Sequence, residues 1–527
     1  MTSIKVTFLP DNKSVTVPIG TAIKDAVMLA GIDMDFPCGG EGSCKKCRVD
    51  IVEPKFTAAL ACREKLDRDT TVRIPDKSHV DRKKLLATIR NHKYPLNPKV
   101  KKEHPNYGLA LDIGTTSVAG ILFDLADGKD LAAMSEANSQ SVFGADVVSR
   151  INYAISHESG LIDLQSKVIE SVNKVIAGLC AEEKTETENI SDITVVGNTV
   201  MQHLLLRRDV TSLSDMPFEP SYQGAVDIEA RKLRFDASHK SQAFIFPHIA
   251  GFVGGDAVGL ILALDLHRSD NINLAIDIGT NGEIVLGSSG KLLCTSTAAG
   301  PAFEGVRIKS GLRASRGAIE SLRLTDQGAL FKTIDNAPAK GICGSGLIDA
   351  LAEMVRLGIV DETGRFRSKE ELAAVKEFPL ALLDSVITLD QQGAFVISNS
   401  RGNEVMITQR DVRELQLAKA AISAGIQTLE KQLGISDADI ERIFIAGTFG
   451  NYINKVNARI IGLIPDVPMA KVVFVGNASA EGARLALVSK QARAEIDNVV
   501  KACRFVNLST DADFQDKFAD AMGFEKD

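Results

Sequence analysis

Four of the eight cysteines, Cys38, Cys44, Cys47 and Cys62, fall within 25 residues of one another. The first three have the spacing C-x5-C-x2-C in Cys38-Gly-Gly-Glu-Gly-Ser-Cys44-Lys-Lys-Cys47, and Cys62 follows in LACR. Thiolates are soft metal ligands, and three on a tight loop with a fourth from a returning segment can surround a single rhombic iron–sulfur cluster. Gly39, Gly40 and Gly42 let the loop backbone come close enough for its N–H groups to donate to sulfur. Zinc is the competing occupant, because C-x2-C occurs in zinc sites too, although structural zinc usually draws on two separated knuckles. The other four, Cys180, Cys294, Cys343 and Cys503, lie scattered in apolar or glycine-rich contexts and read as buried thiols.

A second constellation is built from carboxylates. Leu111-Asp112-Ile113-Gly114-Thr115-Thr116 and Ile276-Asp277-Ile278-Gly279-Thr280-Asn281-Gly282 each end an apolar run with an aspartate, a glycine and then hydroxyl or amide groups. Gly114, Gly279 and Gly282 allow a phosphate to touch backbone N–H groups, and Thr115, Thr116, Thr280 and Asn281 add donors. Asp112 and Asp277 would repel phosphate directly, so their chemistry is to hold magnesium through its waters. A third glycine turn, Gly447-Thr448-Phe449-Gly450, ends the apolar run Ile443–Ala446. Asp256 in Gly254-Gly255-Asp256 is a candidate for positioning a water, with a helix-capping or turn aspartate as the plain alternative. No G-x-x-x-x-G-K-[ST] sequence occurs, so ATP chemistry here would rest on magnesium, oriented phosphate and a positioned water.

These residues need elements to position them. IKVTFL at 4–9 alternates apolar and polar, turns through Pro-Asp-Asn-Lys, and returns as SVTVP, a β-hairpin. Ile23, Ala26, Val27 and Ala30 recur at helical spacing before Gly31. RVDIV and TVRIP after the cysteine loop read as two more strands, giving a β-grasp module over residues 1–77. Residues 78–106 are rich in Lys and Arg and are interrupted by Pro95, Pro98 and Pro105. They read as an interdomain linker with one helical turn around KKLLATI, spanning ~30 Å if flexible. The repeat of the Asp-Ile-Gly-Thr turn, with Asp112 and Asp277 165 residues apart, is too long for a solenoid and divides the rest into two homologous α/β lobes, 107–270 and 271–527.

The net charge of -7 gives no general attraction to nucleic acid or anionic lipid, and no leader-like or membrane-spanning apolar run is seen. The expectation is a cytoplasmic protein with no nucleic-acid or membrane partner.

The cysteine loop resembles that of plant-type and vertebrate-type 2Fe-2S ferredoxins, with a shorter gap to the fourth ligand. The two aspartate turns resemble the phosphate-1 and phosphate-2 motifs of the acetate and sugar kinase/Hsp70/actin superfamily, a ribonuclease H-like fold, and IAGTFG resembles its adenosine motif. The combination resembles the reductive activators of corrinoid enzymes. That likeness extends through VVGNTVM at 195–201, FVGGDAVG at 252–259, AAGPAFEG at 298–305, ICGSGLID at 342–349 and IAGTFGNYIN at 445–454. Some members have a further small domain after the linker, whereas here the linker runs directly into YGLALDIGTT. The resemblance implies a 2Fe-2S cluster on Cys38, Cys44, Cys47 and Cys62, with ATP and Mg at the two aspartate turns, Gly447, Thr448 and Gly450. It implies one-electron reduction of a Co(II) corrinoid protein of a methyltransferase system, fed by an upstream low-potential electron donor; a homodimer stands open. Co(II) to Co(I) lies below ordinary ferredoxin donors, and a gap of ~250 mV would cost ~6 kcal/mol, which nucleotide turnover could supply. A small-molecule kinase with a redox-sensing ferredoxin domain and a regulatory ATPase with a purely structural cluster are the alternatives.

Overall fold

The computed structural model describes residues 3–10, 12–30, 32, 47–74, 93–100, 105–144, 146–305, 307–400, 403–447 and 453–524. Cys38, Cys44, Thr448, Gly450 and the expected helical turn around KKLLATI lie outside them.

The N-terminal module is one five-stranded sheet. Strands β1 (Ser3–Leu9), β2 (Lys13–Pro18), β3 (Arg48–Glu53), β4 (Thr57–Leu60) and β5 (Thr70–Arg73) are ordered β2-β1-β5-β3-β4. In β1 the alternation becomes physical: Ile4, Val6 and Phe8 point into the module core while Ser3, Lys5 and Thr7 face out. Helix Ile23–Leu29 covers that core with Ile23, Ala26 and Val27.

The rest of the chain repeats one plan. Strands β6 (Tyr107–Ile113), β7 (Ser117–Asp124), β8 (Asp130–Ala137), β9 (Ile190–Gly197), β10 (Val226–Glu229) and β11 (Gln242–Ile245) form a sheet in the order β10-β11-β9-β6-β7-β8. The second lobe begins with β12 (Asn273–Ile278), β13 (Gly282–Ser288) and β14 (Lys291–Thr297). Two three-stranded sheets are then inserted: β15 (Ala318–Thr325), β16 (Gly328–Thr333) and β17 (Gly341–Ile342), followed by β18 (Val386–Leu389), β19 (Gln392–Ser400) and β20 (Asn403–Thr408). Strands β21 (Arg442–Ala446), β22 (Val472–Gly476) and β23 (Cys503–Phe505) complete the main sheet, β22-β21-β12-β13-β14-β23. In both lobes the aspartate strand pairs antiparallel with its hairpin partner and parallel with a later strand, so each aspartate turn lies at a strand–strand junction.

Helices Gly255–Leu264 and Ala478–Val488 pack against one another between the sheets, within an apolar cluster that draws on both lobes. They touch backbone to backbone at Gly259 and Gly482, where a Cβ on Gly482 would stand 2.2 Å from the Gly259 carbonyl oxygen. Only glycine permits that approach, and it brings the N-termini of both helices to the same cleft.

The later part of the expected linker is fastened down. Asn97 N–H donates to the Val488 carbonyl at 2.8 Å and its own carbonyl accepts from Lys490 N–H at 2.9 Å. Lys93 pairs with Asp265, and Lys99 pairs with Asp227 at 3.0 Å. A freely jointed span is therefore the wrong picture for residues 93–100, whose backbone and charges are satisfied by the two lobes. Among the described residues no helix is long and apolar enough to cross a membrane.

Candidate functional site

One cleft between the lobes gathers most of the motif residues. It is lined by Asp112, Gly114, Thr115, Thr116, Asp256, Asp277, Gly279, Thr280, Asn281 and Gly447, with Ser117, Asn198, Ile278, Glu283, Glu304 and Asn477, and encloses about 630 Å³ including its open mouth. Gly282 is not among the lining residues: it opens β13, where a Cβ would meet Thr297 and Ile422 at 2.8 and 2.9 Å, so the packing leaves no room for a side chain there. Gly447 has φ +106°, and a Cβ there would stand 2.6 Å from the Ile278 carbonyl oxygen and 3.1 Å from Asp277 Oδ1. The third glycine turn thus lies directly against the second aspartate turn.

The carboxylates arrive from four places. Asp112 and Asp277 end β6 and β12, Asp256 lies in the first turn of helix Gly255–Leu264, and Glu283 sits opposite Asp277 in the β12–β13 register. Asp256 does not cap that helix, because Gly254 holds the N-cap position. Burial pushes Asp112 up to about 6, against a 2.6 Å hydrogen bond from Asn477 Nδ2. Burial and then the Asp112 charge push Asp277 up to about 7, opposed by the Ser479 hydroxyl at 3.3 Å. Asp256 is raised to about 7 by burial, with the Asp112 and Asp277 charges adding to it, and Glu283 is raised well above its ordinary range by burial and by Asp256 and Asp277. Four carboxylates held this close need a cation to be ionised together. Among the described residues no three His, Cys, Asp or Glu side chains converge at direct ligand distance.

The hydroxyls of the two turns meet across the cleft. Thr116 Oγ1 and Thr280 Oγ1 are 2.9 Å apart, and both donate to the Glu304 carboxylate at 2.5 and 2.6 Å. Asn198 caps helix Thr199–Leu205 through its side-chain oxygen and donates from Nδ2 to Thr115 Oγ1 at 3.0 Å. Asn477 likewise caps helix Ala478–Val488 while donating to Asp112. Behind the first turn, fully buried Arg150 donates to the Thr115 carbonyl at 2.6 Å and to the Gly144 carbonyl at 3.0 Å. Burial lowers its pKa to about 10, so it stays charged at neutral pH.

Sequence reasoning named neither Asn198, Glu283, Glu304 and Asn477 nor the supporting Arg150. Glu283 follows Asn281-Gly282 directly and was within reach of a strand-pairing argument. Asn198 and Glu304 lie in segments already noted as VVGNTVM and AAGPAFEG. Asn477 carried no signal beyond a glycine before it and an alanine-rich helix after it.

The pKa directions give a testable pH dependence. Asp112, Asp256 and Asp277 have folded-state values raised from 3.8 to about 6 to 7, so the folded protein binds more protons than the unfolded chain in that window. Their contribution to the nucleotide-free protein's stability is fully present below about pH 4 and is lost as pH rises through 6 to 7. Magnesium bound at this cleft would displace those protons, so its affinity is expected to rise by up to about tenfold per pH unit for each proton displaced below the raised pKa values and to level off above about pH 7. Calorimetric titration of magnesium nucleotide across that range checks it; a flat profile would place magnesium elsewhere.

The second set of thiols lies in the module. Cys47 Sγ and Cys62 Sγ are 3.2 Å apart, Cys47 buried and Cys62 half-buried. That is far longer than a disulfide bond of about 2.05 Å and shorter than the ~3.8 Å between two thiolates on one tetrahedral metal with bonds of about 2.3 Å, so the two sulfurs are in direct thiol–thiol contact. Cys180, Cys294, Cys343 and Cys503 are free and buried in the other domains.

Residues 271–527 match the C-terminal ASKHA domain of RACo, and residues 107–269 match the RACo middle region. The corrinoid activation enzyme RamQ of Eubacterium limosum is 30% identical, over 98% of this chain and 98% of that protein. The [Co(II) methylated amine-specific corrinoid protein] reductase of Methanosarcina barkeri is 25% identical over 76% of this chain and 72% of its own length. A solved structure titled reductive activator for corrinoid,iron-sulfur protein superimposes with a TM-score of 0.76 at 30% identity, over 99% of this chain and 98% of that one. A duplicated ASKHA body and full-length likeness to such activators assign the chain to the RACo family of corrinoid-protein reductive activators.

Proposed function

We propose that this protein is an ATP-dependent reductive activator that passes one electron to an inactive Co(II) corrinoid protein and so regenerates the Co(I) state for methyl transfer. The observation that carries this reading is a conjunction within one chain. A duplicated carboxylate cleft of nucleotide-binding type is joined to a separate module that brings the sulfurs of Cys47 and Cys62 to 3.2 Å from one another.

In this reading residues 1–77 are a 2Fe-2S ferredoxin-like domain, 78–106 the connection, and 107–270 and 271–527 the two ATPase lobes. Cys47 and Cys62 share the cluster with Cys38 and Cys44. When bound, a 2Fe-2S cluster supplies a one-electron reservoir and magnesium nucleotide supplies the driving force. Asp112, Asp256, Asp277 and Glu283 are the residues to hold the hydrated ion. Thr116 and Thr280 are the hydroxyl donors for phosphate oxygens, while the Gly114 and Gly279 N–H groups close their own hairpins on the Ser117 and Asn281 carbonyls at 2.9 Å each. Glu304 occupies both threonine hydroxyls, so phosphate must displace it from donors it otherwise satisfies. Thr448 and Gly450, beside Gly447, belong to the adenosine turn.

The test follows Co(I) by its absorbance after mixing reduced full-length protein, a Co(II) corrinoid protein and ATP, against a non-hydrolysable analogue. Co(I) should accumulate only with hydrolysable ATP. Equal rates with the analogue would remove the driving role of the ATPase, and phosphorylation of an added small molecule would favour a kinase instead.

A further inference from the structure

The N-terminal module meets the second lobe at a charged contact. Asp25, in the first turn of helix Ile23–Leu29, is only 6% exposed and accepts two hydrogen bonds from Arg323 Nη1 at 3.0 and 2.9 Å. The same turn of helix carries the segment that holds a cluster ligand: Ile23 N–H donates to the Glu64 carbonyl at 2.9 Å and Lys24 N–H to the Ala61 carbonyl at 2.7 Å, on either side of Cys62.

On the ATPase side Arg323 belongs to β15. Its neighbour Leu322 donates its backbone N–H to Asp349 Oδ2 at 3.1 Å, and Asp349 Oδ1 accepts from Asn457 Nδ2 at 2.7 Å. Burial pushes the Asp349 carboxyl up to about 7, and the charge of Lys24, across the interface, is among the groups that hold it down. Asn457 sits in helix Lys455–Ile460, ten residues beyond Gly447 of the cleft. Hydrogen bonds and the peptide link between Leu322 and Arg323 thus join helix Lys455–Ile460, through Asp349 and β15, to the helix turn that supports Cys62. Asp25 and Asp349 are buried in this series while the Arg323 side chain stays 46% exposed, so the contact between module and lobe has a made and a broken arrangement, which is what transmission between sites requires.

We propose that the Asp25–Arg323 contact is the coupling surface of the protein, through which the nucleotide state of the cleft reaches the Cys62 segment of the electron-carrying module. The proposal rests on the functional reading above and adds to it the residues that join its two halves. Neither Asp25 nor Arg323 lines the cleft or holds the cluster, so breaking the contact should uncouple two activities that each survive.

Arg323→Asp, and the gentler Arg323→Gln, are expected to keep ATP hydrolysis within about twofold of the parent and to keep the cluster absorbance, while ATP-driven Co(I) formation falls by about tenfold. The exchange variant Asp25→Arg/Arg323→Asp should recover most of that loss, which a variant that merely weakens folding would not do. An independent readout needs no corrinoid protein: the electron paramagnetic resonance spectrum of the reduced full-length protein should change on adding magnesium nucleotide, and this change should vanish in Arg323→Asp. Parent-like Co(I) formation together with a parent-like spectral change in Arg323→Asp would overturn the coupling surface. If the parent itself forms no Co(I), the functional reading fails, and the spectral comparison still decides the coupling on its own.

Discussion

Asparagine at Asp112 or at Asp277 is expected to lower ATP turnover by about 10³-fold or more while leaving the visible spectrum of the cluster unchanged. The size follows from removing one charge of the proposed magnesium site, with no lysine or arginine among the described lining residues of the cleft to take its place. Asparagine keeps the shape, so packing is not the cause of the loss; alanine should do the same and leave the Asn477 amide without its 2.6 Å acceptor. The sign of the stability effect is the informative part. Each aspartate is raised by burial, and Asp277 additionally by Asp112, so neutralising either one removes repulsion in the nucleotide-free protein. The melting temperature without magnesium at pH 8 should therefore hold or rise, whereas the gain on adding magnesium nucleotide should shrink. Turnover and melting curves with and without magnesium nucleotide check both halves, and wild-type turnover in either variant would remove the two-lobe reading of the repeated aspartate turn.

The second large effect belongs to the other module. Serine at Cys47 or Cys62 should abolish the visible absorption of anaerobically purified protein and reduce Co(I) formation to background, with ATP hydrolysis retained. The separation is expected because the two thiols stand at the edge of the module's own apolar core, whereas the cleft is built wholly from the two lobes. Serine at Cys38 or Cys44 should behave alike if all four hold one cluster. Metal analysis of the parent should give two irons per chain; one zinc and no iron would contradict the ferredoxin assignment outright.

The repeated aspartate turns were legible because the same local physics is written twice. An apolar strand, a carboxylate, a glycine and a hydroxyl residue must be adjacent in the chain for a hairpin to present them together, so composition and order suffice. The module's first strand was legible for a similar reason, since the alternation of Ile4, Val6 and Phe8 with polar residues is itself the two faces of a sheet. The cysteine cluster is another local pattern, in which spacing limits what the chain can wrap around.

What only the tertiary structure decided are the groups brought together by packing rather than by neighbourhood. Glu283 enters the cleft because antiparallel pairing sets it opposite Asp277. Asn198 and Asn477 enter because a helix cap leaves one amide nitrogen free to donate forward, to Thr115 and Asp112 respectively. Glu304 ties Thr116 to Thr280 across lobes whose turns lie 164 residues apart, and Asp25 meets Arg323 across 298. At Gly282, Thr297 and helix Gln409–Leu433 pack so closely that no side chain fits, a constraint that the motif itself does not show. A linear sequence determines which local turns and strands can form and which chemical groups they carry. Which distant carboxylate, amide or guanidinium completes them depends on how those elements pack, and no single segment encodes that.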